Sequence, residues 1–408
     1  MKLIVIGTRG FPYIQGGIET HCQGLYPELV KLGCDVTVVR RTAYINASNK
    51  IKKFHGVKFK DIWTPKLKSL EAIVHTFLAL IYCSIKRPDI VHFHGIGPSI
   101  FVPLARILGL RVVVTTQGPD YDRQKWGTFA KFVLKLGEKL GTKYSNEVIV
   151  VSDVIEKLTQ DKYNRFNSNL IFNGVNFPNK SENTEYIKSL GLTKNGYIIA
   201  VARFVEEKGF HYLIDAYIAL KNKDYKLVLV GDADHETNYS LELKKKAREN
   251  GIVLTGFIKG EQLNEIFSHA RLFILPSFHE GLSLALLEAL SYDLDVLVSD
   301  IPANTSAPLA KDSFFPVGNV KELTRRLSYK LKEPVFSDKY DLNEYQWDII
   351  AKKTYKVYTK ALPARKSKQI QVGQEKVTYV EIQQPHKTSN RISRNSESSN
   401  PPKTASVL

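Results

Sequence analysis

The sequence predicts an α/β chain of two doubly wound domains, each with a largely parallel sheet, facing one another across a cleft. Three observations carry this. Short β-rich runs alternate with longer amphipathic runs from residue 1 to about 150, and the alternation restarts after a polar stretch near 178–195. A chain of 408 residues also exceeds what one hydrophobic core normally serves.

In order, the first half reads as strand "KLIVIG", an amphipathic run over 17–32, strand "DVTVVR", a run over 66–87, strand "DIVHFHG", a run over 98–109, strand "RVVVTTQG", a run over 126–143 and strand "EVIVVS". The strands are almost continuously apolar, the pattern of a sheet covered on both faces. The second half reads "YIIAVAR", helix 208–221, "KLVLVG", helix 240–250, "IVLTG", helix 261–270, "LFILPS", helix 282–292 and "DVLVSD". Residues 1–178 are therefore expected to form an N-terminal domain and 190–340 a C-terminal one. An amphipathic helix over 341–363 closes the fold. A basic tail over 364–408, poor in large apolar residues, cannot offset its ordering entropy and is expected to be disordered.

Composition narrows the setting. Three scattered cysteines with no Cys/His ligand spacing point to a reducing, cytoplasmic compartment and away from zinc. The first apolar run is too short for the core of a secretory signal. "AIVHTFLALIYCSI" is too short to span a membrane and "IFVPLARILGLRVVV" is cut by Arg106 and Arg111, so membrane contact would be peripheral.

The net charge is +17, and residues 1–180 hold 26 basic against 13 acidic side chains. Such a surface suits nucleic acid, anionic lipid or a phosphorylated substrate. Lys131, Lys135, Lys139 and Lys143 recur every four residues beside Phe132, Leu136 and Leu140. A core-facing stripe with a solvated face gives the same spacing; the charge imbalance favours an anionic membrane surface.

In open parallel sheets ligands collect beyond the carboxyl ends of the strands. The first such loop ends in Gly16–Gly17 directly before a helix, where bare backbone N–H groups suit a phosphate. The glycine spacing does not fit a dinucleotide fingerprint, and the second strand ends in Arg40 and Arg41 where an acid would hold a ribose. That opposes a nicotinamide-dependent dehydrogenase. "VARFVEEKG" places Arg203 at a strand end and Lys208 at the next helix start, where two cations could neutralise a diphosphate or pair with Glu206 and Glu207. "LPSFHEGLSLALLEALSYD" places Glu280 at the mouth of a helix and Glu288 inside it, interrupting a Leu-rich face. His92 and His94 share a strand face, with His92 read as core; His94 and His21 are candidates to face acceptor or sugar. Asp120, Tyr121 and Arg123 follow the next strand end and join them on the acceptor side.

"HEGLSLALLEAL" resembles the motif of two glutamates separated by seven residues in the retaining glycosyltransferases of the large fourth sequence family, which have the GT-B fold of two Rossmann-like domains. The resemblance extends through "GTRGFPYIQGGIETH", "HFHGIGPS", "GPDYDRQKWG", "VARFVEEKG", "VGDADHE" and "GFIKGEQLNEIFSHA" to about residue 360. It implies a bacterial surface-polysaccharide enzyme that moves a sugar from a nucleoside diphosphate sugar to a growing, lipid-linked glycan. No nucleic acid and no cofactor or metal are then expected. Asp120/Asp122, Asp232/Asp234 and Asp293/Asp295 are not expected to hold a cation, because GT-B members need none.

The resemblance also implies roles. Glu280 would contact the donor sugar, and the backbone of Gly281, Leu282 and Ser283 would hold sugar and phosphate. Glu288 would bind the ribose, Arg203 and Lys208 the diphosphate, and Gly16 and Gly17 would approach it from the other domain. The "GFIK" turn would lie near the base. The chain departs from its relatives at Gln117, commonly histidine, and at Asp293 and Asp295, commonly glycine and proline. A non-catalytic sugar-nucleotide-binding or scaffold protein, or a GT-B epimerase acting on the nucleotide sugar alone, would share most of these features.

Overall fold

A computed structural model describes residues 1–363, apart from 66–69, 120, 122–126, 221–223, 235, 308 and 335–338. The expected tail over 364–408 lies outside the described residues. Met1–Leu362 forms one compact unit built on two sheets.

The first sheet comprises β1 (Lys2–Ile6), β2 (Asp35–Arg41), β3 (Lys53–Phe54), β4 (Val57–Ile62), β5 (Ile90–His94), β6 (Val112–Thr116), β7 (Glu147–Val150) and β8 (Asn169–Leu170). Between them run α1 (Gly17–Lys31), α2 (Glu71–Lys86), α3 (Val102–Ile107), α4 (Thr128–Tyr144) and α5 (Asp153–Tyr163). The strand order is β3-β4-β2-β1-β5-β6-β7-β8, parallel except for the β3–β4 pair. Succession changes direction between β1 and β5, so the loop after β1, residues 7–16, lies at the switch point where ligands enter.

The second half adds α6 (Glu185–Ser189), β9 (Tyr197–Val201), α7 (Phe210–Ile218), β10 (Lys226–Val230), α8 (Asn238–Glu249), β11 (Val253–Gly256), α9 (Glu261–Ser268), β12 (Leu272–Leu275), α10 (Leu284–Ser291), β13 (Val296–Ser299), α11 (Pro302–Thr305), β14 (Phe314–Phe315), α12 (Val320–Lys330) and α13 (Trp347–Ala361). This sheet has the order β11-β10-β9-β12-β13-β14 and its pairings are parallel. Its switch point lies between β9 and β12, whose following loops carry Arg203 and Lys208 on one side and Glu280 on the other. Ile198, Ala200, Leu227 and Leu229 pack on one face, and Tyr197, Ile199, Val228 and Val230 on the other. Burial on both faces is what makes these strands continuously apolar.

The helix expected over 341–363 is α13. It packs against α1 and behind β6 and β7, so the last described helix returns to the first sheet. Trp347 presses against Gly24 of α1 and Gly174, where any side chain would collide with its ring. Tyr358, fully buried, completes the contact from the other end of the helix.

Candidate functional site

The loops after β9 and β12 meet through a glycine. Gly209 has φ 66°, and a Cβ there would run into the Pro276 carbonyl, so the position needs both the left-handed backbone and the missing side chain. Phe278 N–H donates to the Glu207 carbonyl at 2.9 Å, tying the two loops together. Lys208, in a single helical turn before α7, reaches across: its Nζ donates to Glu280 Oε1 at 2.6 Å. Ser277 Oγ donates to the same oxygen at 2.7 Å. Glu280 therefore stands one turn before α10, with its side chain 9% exposed and its charge met by Lys208. Ser283 caps α10, its Oγ accepting from Leu286 N at 3.3 Å.

Gly281 is where the two halves touch. A Cβ at Gly281 would strike the Gln117 carbonyl in the loop after β6. Beside it the Leu282 carbonyl accepts from Asn173 Nδ2 at 3.1 Å. Gln117 Nε2 is buried and has no hydrogen-bond acceptor among the described residues. Gly281 and Leu282 thus lie against the first domain, as a site between domains requires.

On the first domain the loop 7–16 is organised around Arg9. Glu19, buried in the first turn of α1, accepts from Arg9 N at 2.9 Å and from Arg9 Nη2 at 3.2 Å. Burial raises the Glu19 pKa, but the Arg9 charge and hydrogen bonds outweigh it and hold the carboxyl below its usual range. Arg9 also donates to the Gln15 carbonyl. A side chain at Gly16 would collide with Glu19 and Arg9, whereas a Cβ at Gly17 meets nothing within 4 Å. The start of α1 at Gly17 is therefore open.

This loop crosses to the other domain. Arg9 Nη1 lies 3.3 Å from Asp234 Oδ2, and Arg203 Nη1 reaches the same oxygen at 2.8 Å. Lys259 Nζ sits 3.5 Å from the centre of the Tyr13 ring. The sequence left Arg203 and Lys208 between two readings, a diphosphate or pairing with Glu206 and Glu207. Each is ion-paired here, but with a distant carboxylate: Asp234 and Glu280.

Glu288 faces a cavity of about 450 Å³ between the domains, lined among others by Thr20, Gln23, Gly174, Leu263 and Tyr292. Its carboxylate has no hydrogen bond or ion pair among the described residues, and burial raises its pKa from 4.5 to about 7. A wet-face glutamate would show neither feature. An unpaired carboxylate beside a cavity is a ready acceptor for ligand hydroxyls.

The acceptor-side candidates are placed differently. His94 is fully buried at the end of β5, its Nε2 2.5 Å from Tyr26 OH. His92, read as core, is core: its Nδ1 is 2.6 Å from Tyr358 OH and its Nε2 2.7 Å from Thr115 Oγ1. His21 Nδ1 lies 2.9 Å from Asn173 Oδ1. Burial lowers His21 to about 4 and His92 to about 3, and takes His94 well down, so all three stay neutral near neutral pH. His21 and His94 form a wall behind the cleft and are not open to an acceptor. Tyr121 is likewise buried: its OH donates to Glu138 Oε2 at 3.0 Å and accepts from Lys162 Nζ at 2.6 Å, which anchors it between α4 and α5. Asp120 and Arg123 lie outside the described residues.

Of the acidic pairs, Asp120/Asp122 lies outside the described residues. In the other two, every carboxylate has a cation: Asp232 has Lys244 at 2.7 Å, Asp293 has Lys180 at 2.8 Å and Asp295 has Lys330 at 2.9 Å, with Asp234 between the arginines. Among the described residues, no three His, Cys, Asp or Glu side chains gather as a metal site would require.

Arg9, Glu19 and Asn173 escaped the sequence reading, and Asp234 was weighed there only as half of an acidic pair not expected to hold a cation. Arg9 lies in the loop singled out for its glycines, and its place after β1 was the available signal. Asn173 and Asp234 meet partners too distant in sequence to leave a local pattern.

Comparison with known proteins agrees with this geometry. The profile of "Glycosyltransferase Family 4" matches residues 15–177 and that of "Glycosyl transferases group 1" matches 182–347. An uncharacterised glycosyltransferase of Methanocaldococcus jannaschii, MJ1607, is 25% identical over 89% of this chain and 99% of its own length. The UDP-Gal:alpha-D-GlcNAc-diphosphoundecaprenol alpha-1,3-galactosyltransferase of Escherichia coli is 30% identical over 56% of this chain and 62% of its own. The structure of Anabaena HepE in complex with UDP-glucose superposes with a TM-score of 0.67 at 16% identity, covering 92% of this chain and all of that one. The chain belongs to the GT-B glycosyltransferases of the fourth sequence family.

Proposed function

We propose that the protein transfers a sugar, with retention and without a metal, from a nucleoside diphosphate sugar to a growing, lipid-linked glycan in surface-polysaccharide synthesis. The observation that carries the donor assignment is Glu288, an unpaired carboxylate beside a cavity of about 450 Å³. Ribose hydroxyls donating to it would stabilise its ionised form, which has no partner otherwise among the described residues. The E. coli relative, whose name gives a UDP-galactose donor and a diphosphoundecaprenol-linked acceptor, supports the substrate classes, as does the UDP-glucose bound to HepE.

In this reading the donor diphosphate lies at the start of α1 and α10, where Gly16, Gly17, Gly281, Leu282 and Ser283 offer backbone groups and Arg203 and Lys208 offer charge. Glu280 orients the sugar. The acceptor oxygen bonds to the anomeric carbon on the face from which the phosphate oxygen departs, and the leaving phosphate takes the hydroxyl proton. Arg203 and Lys208 stabilise the charge that grows on the leaving group. Glu288 and Glu280, both partly buried, lie in a cleft whose closure would keep water from the reacting carbon.

The first domain supplies the acceptor side and the membrane approach. Lys135, Lys139 and Lys143 of α4 are exposed beside Phe129 and Phe132, which are 78% and 61% exposed. Phe77, Ile81 and Ile85 of α2, at helical spacing, are also exposed. Among the described residues no helix is long and apolar enough to cross a membrane. A basic and aromatic face of this kind suits peripheral contact with an anionic bilayer, at the cytoplasmic side where nucleotide sugars are found.

The test is turnover of nucleotide sugars with a polyprenyl-diphosphate-linked sugar, followed by NMR of the new linkage. An anomeric configuration equal to the donor's, formed in the presence of a chelator, supports the proposal. Inversion or metal dependence contradicts the mechanism; donor conversion without acceptor favours an epimerase, and binding without turnover favours a sugar-nucleotide-binding protein.

A further inference from the structure

Arg9 and Arg203 belong to loops at the switch points of different sheets, yet both converge on one oxygen of Asp234, at 3.3 and 2.8 Å. Arg9 is not free to follow its partner. Glu19 and the Gln15 carbonyl fix its guanidinium from the α1 side and leave Nη1 directed across the cleft. Arg203 has Asp234 as its only ion partner among the described residues. Asp234 stands in the loop after β10 with a side chain 24% exposed, so it can leave the pair by rotating into solvent. The second domain thus places a carboxylate between two cations in a cleft whose ligand is read as a diphosphate. With Glu19 on Arg9, Asp234 brings the two cations to neutrality, so its departure leaves one positive charge for a phosphate, which carries more negative charge than a carboxylate, to take up.

We propose that Asp234 is a resident counter-anion that occupies the position of a donor phosphate on a clamp formed by Arg9 and Arg203, and that donor binding exchanges the carboxylate for phosphate. Arg9 is then a phosphate ligand contributed by the domain opposite Arg203. The exchange restrains the affinity of the empty site for free phosphates and keeps the two domains linked through Arg9 while the site is empty. This inference rests on the reading of the cleft as a nucleoside diphosphate site.

The test is calorimetric titration of the full-length protein with inorganic pyrophosphate, which carries no base or sugar, and in parallel with UDP, GDP and ADP. Asp234→Asn and Asp234→Ala should each bind pyrophosphate about tenfold more tightly than the native protein, the size of one charge-assisted hydrogen bond. Arg9→Gln should bind it about tenfold less tightly, with melting temperatures recorded to confirm that each variant is folded. If the native protein binds pyrophosphate or a nucleoside diphosphate and both Asp234 variants bind no better, the counter-anion role is overturned while the diphosphate reading stands; Asp234 then only positions Arg203. If neither the native protein nor any folded variant binds pyrophosphate or any of the three nucleotides, both are overturned.

Discussion

Lys208 Nζ stands 2.6 Å from Glu280 Oε1, joining the loop after β9 to the loop after β12 at the switch point of the second sheet. The pair is largely shielded from solvent, with side chains 17% and 9% exposed. Two residues expected to act on different parts of the donor therefore hold each other in position before any donor arrives. Removing one partner leaves the other charge poorly solvated, so its cost exceeds the strength of the pair itself.

A double-mutant cycle reads this coupling. Lys208→Met and Glu280→Gln should each lower stability, and the double variant should lose less than the sum, with a coupling of about 0.5–3 kcal/mol in urea denaturation. In steady-state kinetics Glu280→Gln should mainly lower kcat, because its partner group is the sugar at the reacting carbon. Additive losses of stability with unchanged kcat would remove Glu280 from the site.

Glu288 gives a pH signature. The folded protein holds its proton up to about pH 7, whereas an unfolded glutamate releases it near 4.5. Between those values the folded state binds more protons, so stability falls as pH rises across the window. Glu288→Gln, which stays neutral, should escape that fall and be the more stable protein above pH 7, by at most roughly 3 kcal/mol. Unfolding curves for the two proteins that stay parallel from acid to alkaline pH would contradict this.

Asp293 follows α10 with φ 54°, the left-handed backbone in which glycine is unstrained. Asp293→Gly should stabilise the protein by up to about 1 kcal/mol, since its ion pair with the half-exposed Lys180 contributes little. The urea midpoint should rise with an unchanged slope. A lower midpoint would show that the Lys180 pair outweighs the backbone strain.

The exposed face of α4 and α2 should bind vesicles containing anionic lipid and release them as salt rises. Replacing Lys135, Lys139 and Lys143 by Gln should weaken that binding by about 1 kcal/mol for each lysine near the surface. Equal co-sedimentation of native and triple-variant protein with anionic vesicles at low salt would dispose of the lysine contribution.

Much of the fold was legible because strands buried on both faces are continuous apolar runs, and "YIIAVAR", "KLVLVG" and "LFILPS" all became parallel strands. The β3–β4 hairpin was missed: its strands lie at a sheet edge, half of their residues wet, where the apolar signal fades. Helices α5 and α12, rich in charge, were missed for a related reason. Lys208 and Glu280 could be placed toward the cleft from their positions just beyond strand ends, and Glu288 stood out because it interrupts the Leu-rich face of α10. The Arg9–Asp234 contact was not, since it joins two sheets, and a single-sequence pattern carries only neighbours along one helix or strand. His94 shows the opposite failure. Its position at a strand end suggested a site residue, but Tyr26 and, through His92, Tyr358 of α13 close over it, and α13's return to the first sheet leaves no trace in local periodicity.

The central claim is that the cavity beside Glu288 holds the nucleoside of a nucleotide-sugar donor, and calorimetric titration of native and Glu288→Gln protein with a panel of nucleoside diphosphate sugars tests it most directly. At least one donor should bind the native protein, and Glu288→Gln should weaken that donor about tenfold, the loss of a hydrogen bond to a charged acceptor. Binding of no member of the panel, or equal affinity in a folded Glu288→Gln protein, would contradict the account.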